Sequence, residues 1–236
     1  AHHWAAAVAV EDEMGDLATV PDRARSRAVT WLSASARRAQ RRDVLGAAER
    51  SYDRALSLVD PSDGPARGRL LVDRARVRSD RWDLTGARAD ADAARAEAAA
   101  RGDRAVEAAA VLRLGEVEQR AGDTDAATVR LRHASERFAE TGDVAGEAEA
   151  LRLLGMAHLF ASDLPQAIEA LEQAGRLYDA VEDAAGQGWV AQNLAWAAFM
   201  LGDLERTETE VERAVALFAS VDDQVGRSWA RGLSAF

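Results

Sequence analysis

Small and apolar residues return every three or four positions along most of this chain, as in Leu151, Leu154 and His158 followed by Ala167, Leu171 and Ala174. That spacing gathers them on one face of a helix. Single aspartates punctuate the apolar blocks at fixed intervals: Asp43, Asp83, Asp123, Asp163 and Asp203 on one register, Asp63, Asp103, Asp143, Asp183 and Asp223 on another. An Asp before a helix accepts hydrogen bonds from backbone N–H groups that the helix itself leaves unpaired, so each marks a turn and a cap. Aligned on these markers, the chain repeats every 40 residues. Each repeat holds two helices of about 16 residues, too small to bury an apolar face alone, so neighbouring repeats must supply the core. Turns are predicted within about two residues of Asp83, Asp103, Asp123, Asp143, Asp163, Asp183 and Asp203.

Inside a repeat, Leu151-x-x-Leu154-Gly155-x-x-His158 sets a glycine where a second helix can approach closely. Ala167 and Ala174 are its small counterparts, with Leu171 as the knob between them. Val111, Leu114, Gly115, Glu118, Ala127, Leu131 and Ala134 repeat the pattern. Leu71, Ala75, Ala87, Ala91 and Ala94 do so more loosely, as do Ala191, Leu194, Ala195, Val211 and Ala214. The pattern resembles the tetratricopeptide repeat, W-x2-L-G-x2-Y…A-x3-F. The resemblance implies an all-α solenoid of stacked antiparallel helix pairs wound into a right-handed superhelix.

The chain departs from that family in three ways: the period is 40 rather than about 34, most aromatic places are aliphatic, and no Pro closes the repeat. The array is expected over residues 28–236, in units 28–67, 68–107, 108–147, 148–187 and 188–227, with a truncated unit at 228–236. The first unit, from Trp31 to Ala55, fits best with Ala48, Tyr52 and Ala55 shifted by one residue. Residues 1–27 read as a helical lead-in or a degenerate unit, helical from His2 to Met14 and broken at Gly15-Asp16 and Val20-Pro21-Asp22. The chain opens Ala1-His2-His3-Trp4 without Met, and Ser228 to Phe236 reads as a first helix lacking its partner, so a piece of a larger protein is expected. Together with Ala28-Val29-Thr30-Trp31-Leu32 and Ala47-Ala48-Glu49-Arg50-Ser51-Tyr52, that opening resembles the junction after an ATPase module in large actinobacterial-like signalling proteins. These are the ATPase-linked class III adenylate cyclases and the large ATP-binding transcriptional regulators. On that resemblance any catalytic or DNA-binding part lies outside these residues.

Composition narrows the chemistry. All 30 basic residues are Arg, which removes Lys-dependent phosphate loops and Schiff bases. The absence of Cys removes disulfides and thiolate metal sites. No secretory leader and no membrane-length apolar run is present, so a cytoplasmic location without a membrane partner is expected. The net charge of −10 divides unevenly, +2 over residues 1–101 and −12 over 102–236. An acidic body repels phosphate backbones, so nucleic acid is not expected as a partner.

His2, His3, His133 and His158 form no ligand pair, and His158 holds the place of the family's Tyr, which suggests packing or solvent contact. Asp90 with Asp92, Asp123 with Asp125, and Asp222 with Asp223 lack the calcium-loop pattern and read as solvated faces and caps. Glu208, Glu210 and Glu212 alternate around their helix. No hydrolase elbow or dinucleotide loop is present, so no enzyme, no cofactor and no metal is expected. Residues 21–54 hold nine Arg and four acids, either a dock for a polyanion or acidic domain, or a solvated surface.

The sharpest functional signal is an apolar stripe near the C-terminus. By resemblance, the first helix of each unit lines the concave face. The corresponding positions are Glu149, Arg152, Met156, Leu159 and Phe160, then Trp189, Gln192, Trp196, Phe199 and Met200, then Trp229 and Phe236. Earlier units place Arg69, Arg76, Ser79 and Asp80, and Glu116, Gln119 and Arg120, at these places. Met156, Leu159, Phe160, Trp189, Gln192, Trp196, Phe199 and Met200 are therefore expected to line a partner-binding groove, unless a continuation of the array covers them. The function expected is a protein-binding scaffold within a signalling protein, taking a protein, a peptide or an attached domain of its own parent chain. The alternative is a ligand-sensing repeat domain of a transcriptional regulator.

Overall fold

The computed structural model of the chain describes residues 22–60 and 63–233. Among the described residues there are eleven α-helices and no strand. They are α1 (Asp22–Arg41), α2 (Leu45–Leu58), α3 (Gly64–Asp80), α4 (Leu84–Arg101), α5 (Arg104–Arg120), α6 (Thr124–Thr141), α7 (Val144–Phe160), α8 (Leu164–Ala180), α9 (Ala184–Leu201), α10 (Leu204–Ser220) and α11 (Gln224–Leu233). The all-α, helical-repeat fold expected from the 40-residue period is the fold observed. The lead-in helix expected from His2 to Met14 lies outside the described residues, and the first described helix, α1, spans Asp22–Arg41.

One residue organises both ends of nearly every turn. Asp63, Asp83, Asp123, Asp143, Asp163, Asp183 and Asp203 are N-caps whose carboxylates accept a backbone N–H three residues on, at 2.9–3.4 Å. Asp103 and Asp223 accept the same bond from Val106 and Gly226. The backbone N–H of the same aspartate closes the preceding helix, as in Asp83 to the carbonyl of Arg78 at 2.9 Å and Asp163 to that of His158 at 2.9 Å. The residue just before the aspartate supplies the left-handed turn such a closure needs. It is glycine at 102, 122, 142 and 202, but Trp82, Ser162, Glu182 and Asp222 take the same conformation with φ of 54–63°.

Asp43 departs from the series. It occupies the left-handed position itself, with φ 57°, and Val44 is the N-cap without a side-chain bond. The first pair therefore runs one residue out of step, in both of its helices. Ala48, Tyr52 and Ala55 are fully buried as the shifted reading requires. In α1 Ala24, Ala28, Leu32, Ser33 and Ala36 are buried, while Trp31 is 51% exposed and stands outside the core.

The helices divide into two compact units, one ending at Arg113 and one beginning at Leu114. In the first, Leu32, Tyr52, Val59, Leu70 and Val77 pack around Ala36, Ala48 and Ala55, and Leu71 and Val106 close on Ala94, Ala98 and Ala110. In the second, the helices pack in chain order, each against the next from α6 to α11, and α9 also touches α7 and α11. Short turns make consecutive helices antiparallel neighbours. Gly155 meets Leu171 and the carbonyl of Ala167 so closely that an added Cβ would lie 2.6 Å from the Leu171 side chain. Gly115 stands in the same relation to Leu131, at 2.8 Å. The close approach expected at Gly155 and Ala167 is present.

Candidate protein-binding face on the first helices

In the second unit, α7 and α9 are the first helices of successive pairs, and one face of each is left uncovered by the second helices. α9 carries no charged side chain along its 18 residues. Its packed side is formed by Val190, Ala191, Leu194, Ala195 and Ala198. The opposite side presents Trp196 at 44%, Phe199 at 41% and Met200 at 40% exposure. Phe160, one repeat before Met200 at the end of α7, is 66% exposed. Leu201, which the sequence pattern did not single out, is exposed beside them.

The eight residues expected in a groove are thus not equivalent. Met156 is half-buried. Trp189 is half-buried and sets its ring edge-on to Phe218, centroids 5.1 Å apart. Leu159 and Gln192 are buried. These two offer almost no surface to solvent. Of the further stripe residues, Trp229 is exposed and Phe236 lies outside the described residues.

The sequence pattern missed Asn193. It lies between Trp189 and Trp196 along α9 but to the far side of Trp189 around the helix, and it is 5% exposed, its Nδ2 without a hydrogen-bond partner. A second amide donor, Nε2 of Gln119, is likewise buried and unpartnered. Gln119 holds on α5 the repeat position of Leu159 and Phe199. The signal that could have found Asn193 was the adjacent amide pair Gln192-Asn193 within the uncharged run of α9.

Equivalent positions in the first unit are ionic. Asp73 accepts from the Tyr52 hydroxyl at 3.4 Å and lies 3.6 Å from the Arg37 guanidinium. Burial pushes its carboxyl above the usual range, and the Arg37 charge only partly opposes this. Burial likewise raises the Tyr52 hydroxyl, and the Asp73 charge adds to the rise. Asp80 accepts from Gln40 at 3.1 Å, and Ser79, expected on the polar strip, is buried.

Two of the acidic residues, Asp90 and Asp123, have structural roles. Asp90 is buried, neither solvated nor a cap, which corrects the expectation for it. It receives a two-pronged bond from Arg74 at 2.7 and 2.8 Å and another from Arg78 at 3.0 Å. Arg74 and Arg78 reach on to Asp53 and Glu49 of α2. Asp92 is exposed, 3.5 Å from Arg95, and Asp123 is a cap. Among the described residues no three His, Asp or Glu side chains gather as a metal site would require. His158 is buried with its Nδ1 3.7 Å from the Asp163 carboxylate, at the edge of a polar groove of 330 Å³ shared with Arg132, Glu136, Gln166, Glu169 and Gln173. Burial holds its imidazole below the usual range, against the pull of Asp163. Along α10 an apolar furrow of 540 Å³ runs past Leu204, Val211 and Val215. Among the described residues no helix is long and apolar enough to cross a membrane.

Residues 106–180 match the tetratricopeptide repeat family. They run from the start of α5 to the end of α8 and so take in the Gly115 and Gly155 contacts. Solved structures extend the likeness in fold to most of the chain. BtubC from P. vanneervenii shares 20% identity and a TM-score of 0.65, covering 84% of this chain and 83% of its own. The Rap conjugation gene regulator of plasmid pLS20, solved in complex with the Phr* peptide, reaches a TM-score of 0.76 at 13% identity, over 92% of this chain and 61% of its own. The apo form of RapI gives 0.65 at 11% identity, over 97% and 62%. The fold is a solenoid of tetratricopeptide type. No curated protein matches the sequence.

Proposed function

We propose that this chain is a protein-interaction scaffold, and that the uncovered face of α7 and α9 receives a segment of another polypeptide. The observation that carries this reading is the placement of Trp196, Phe199, Met200 and Phe160. All four are at least 40% exposed on helices whose stacking is completed by smaller residues behind them. Large side chains that the core does not use, clustered on a rigid surface, fit an interaction site better than a solvated one. Met156 and Trp189, both half-buried, extend the strip. The peptide held by the Rap regulator is a property of that protein; its likeness in fold makes a peptide a reasonable occupant here.

The scaffold would serve a larger signalling protein in the cytoplasm, relaying occupancy to attached domains. A second reading, in which the repeats sense a small ligand, would use the polar groove beside His158. The two separate in one experiment. A pool of random decapeptides, acetylated and amidated at their ends, is passed over the protein and over its Trp196→Ala variant, and retained peptides are weighed by mass spectrometry. Retention by the parent and its loss in the variant, with unchanged helix content, is the expected result. Retention of nothing, or equal retention by both, overturns the reading.

A further inference from the structure

Two helix positions that hold an ion pair in successive repeats hold none in the next. Arg78 on α3 donates to Asp90 on α4 at 3.0 Å, and one repeat later Arg130 on α6 donates to Glu118 on α5 at 2.7 Å. The next residues in this register are His158 on α7 and Ala170 on α8. A methyl group cannot reach the imidazole, and both residues border the 330 Å³ polar groove lined by α6, α7 and α8. We infer that this groove binds an organic cation of the alkylguanidinium class, whose N–H groups donate to His158 and to carboxylates on the rim while its alkyl stem lies on Leu151 and Leu154. The inference rests on the second reading above, to which it gives a ligand class. The site is separate from the apolar strip, because His158 stands about half a turn around α7 from Met156 and Phe160.

Three observations support this. First, His158 is only 8% exposed, yet among the described residues neither ring nitrogen has a hydrogen-bond partner. Its Nδ1 stands 3.7 Å from the Asp163 carboxylate, beyond bonding range. Burial holds the ring below the usual histidine range, so it is neutral at pH 7. The nearby Asp163 charge favours the proton on Nδ1, which leaves Nε2 as an acceptor that calls for an N–H donor. Second, the groove is acidic. Glu136 and Glu169 are exposed at its rim and Glu147 is half-buried, against the single guanidinium of Arg132. None of the three carboxylates has an ion-pair partner among the described residues. Third, the repeat itself sets a guanidinium here, since Arg130 holds the place of Ala170. Leu151, Leu154 and Ala170 are buried and make the floor apolar. A planar, weakly hydrated guanidinium suits such a floor better than an ammonium, and its edge donates in several directions at once. The volume fits a small molecule or one side chain, being at the low end of the usual range of about 300–1,000 Å³.

The test is calorimetric titration of the full chain with butylguanidinium, with butylurea (similar in shape but uncharged) and with valerate (oppositely charged). Butylguanidinium should bind about tenfold tighter than butylurea, and valerate should not bind. Glu136→Gln with Glu169→Gln, both at the exposed rim, should weaken the cation about tenfold and leave the melting temperature unchanged. His158→Glu with Ala170→Arg rebuilds the Glu118–Arg130 pair; this double variant should melt no lower than the parent and bind no cation. Trp196→Ala should bind the cation as the parent does. Acetylarginine amide separates two sources of the group: binding tighter than butylguanidinium assigns the groove to an Arg side chain of another polypeptide, and weaker binding to a free small cation. Cation binding that survives in either double variant overturns the inference. So does equal or tighter binding of butylurea or valerate, which leaves the ligand-sensing reading standing with another ligand class. If none of the three binds, that reading falls and the inference with it.

Discussion

The first helix α3 and the first helix α9 occupy the same place in the repeat but are held by different forces. α3 is fastened by charge: Arg74 and Arg78 reach Asp90 on one neighbour and Asp53 and Glu49 on the other. α9 is fastened by shape, with Gly186 against the Tyr178 ring, Gly188 against Phe218, and alanines behind. The same exchange shows at the joints between pairs. Phe138, Tyr178 and Phe218 each press on a glycine of the following helix, at 146, 186 and 226, whereas the equivalent joint in the first unit sets Ala98 with Val106. Charge is traded too. Arg78 bonds Asp90, while one repeat later Glu118 bonds Arg130 with the signs reversed. A backbone tolerates either fastening, but the consequences at the surface differ. In α3 the polar groups satisfy one another, whereas α9 leaves aromatic surface and one amide unsatisfied.

The largest effect should come from breaking the ionic fastening. Asp90→Ala leaves two partly buried guanidiniums without their shared carboxylate, and removal of one partner from such a network costs about 3 kcal/mol. A urea titration followed by helix ellipticity checks it, and an unchanged midpoint would mean that Asp53 and Glu49 suffice. Breaking the shape fastening should cost somewhat less. Gly155→Leu and Gly186→Leu drive a side chain into Leu171 and Tyr178 respectively, at about 1–3 kcal/mol each. Thermal melts equal to the parent would show that these helices can move apart.

The smallest effect is one of pH. Because His158 binds its proton less tightly folded than unfolded, its contribution is present above the usual histidine value of 6.5 and is lost as pH falls through it and on through the folded value. The melting temperature of the parent should therefore drop more between pH 7.5 and 5.5 than that of His158→Phe. Parallel profiles would remove His158 from the account.

Much of this fold was legible because the turn chemistry is periodic. An Asp that both closes one helix and caps the next leaves a mark at a fixed spacing, and Gly155 and Gly115 announced the close approaches. Asp43 misled because an Asp serves equally in the left-handed position one residue earlier. Asp90 misled because a lone carboxylate in a polar run looks solvated, and only the fold reveals two guanidiniums from another helix closing on it. At the candidate site, period alone placed Trp196, Phe199 and Met200 on one face. It does not separate exposed from buried positions on that face, so it sets Leu159 and Gln192 with the exposed residues though both are buried. The joints at Gly146, Gly186 and Gly226 escaped notice because the aromatic partner lies eight residues earlier, on another helix.

The contrast between the two faces can be put to one measurement. Capped decapeptide binding is compared, by the change in intrinsic tryptophan fluorescence and by mass spectrometry of what is retained, in two double variants of the whole chain. One removes the aromatic crest, Trp196→Ala with Phe199→Ala. The other strips the equivalent ionic surface, Arg69→Ala with Arg76→Ala. The account predicts that the first loses on the order of 2 kcal/mol of affinity while keeping its helix content, and that the second binds as the parent does. Undiminished retention by the aromatic double variant, or loss confined to the arginine variant, would contradict it.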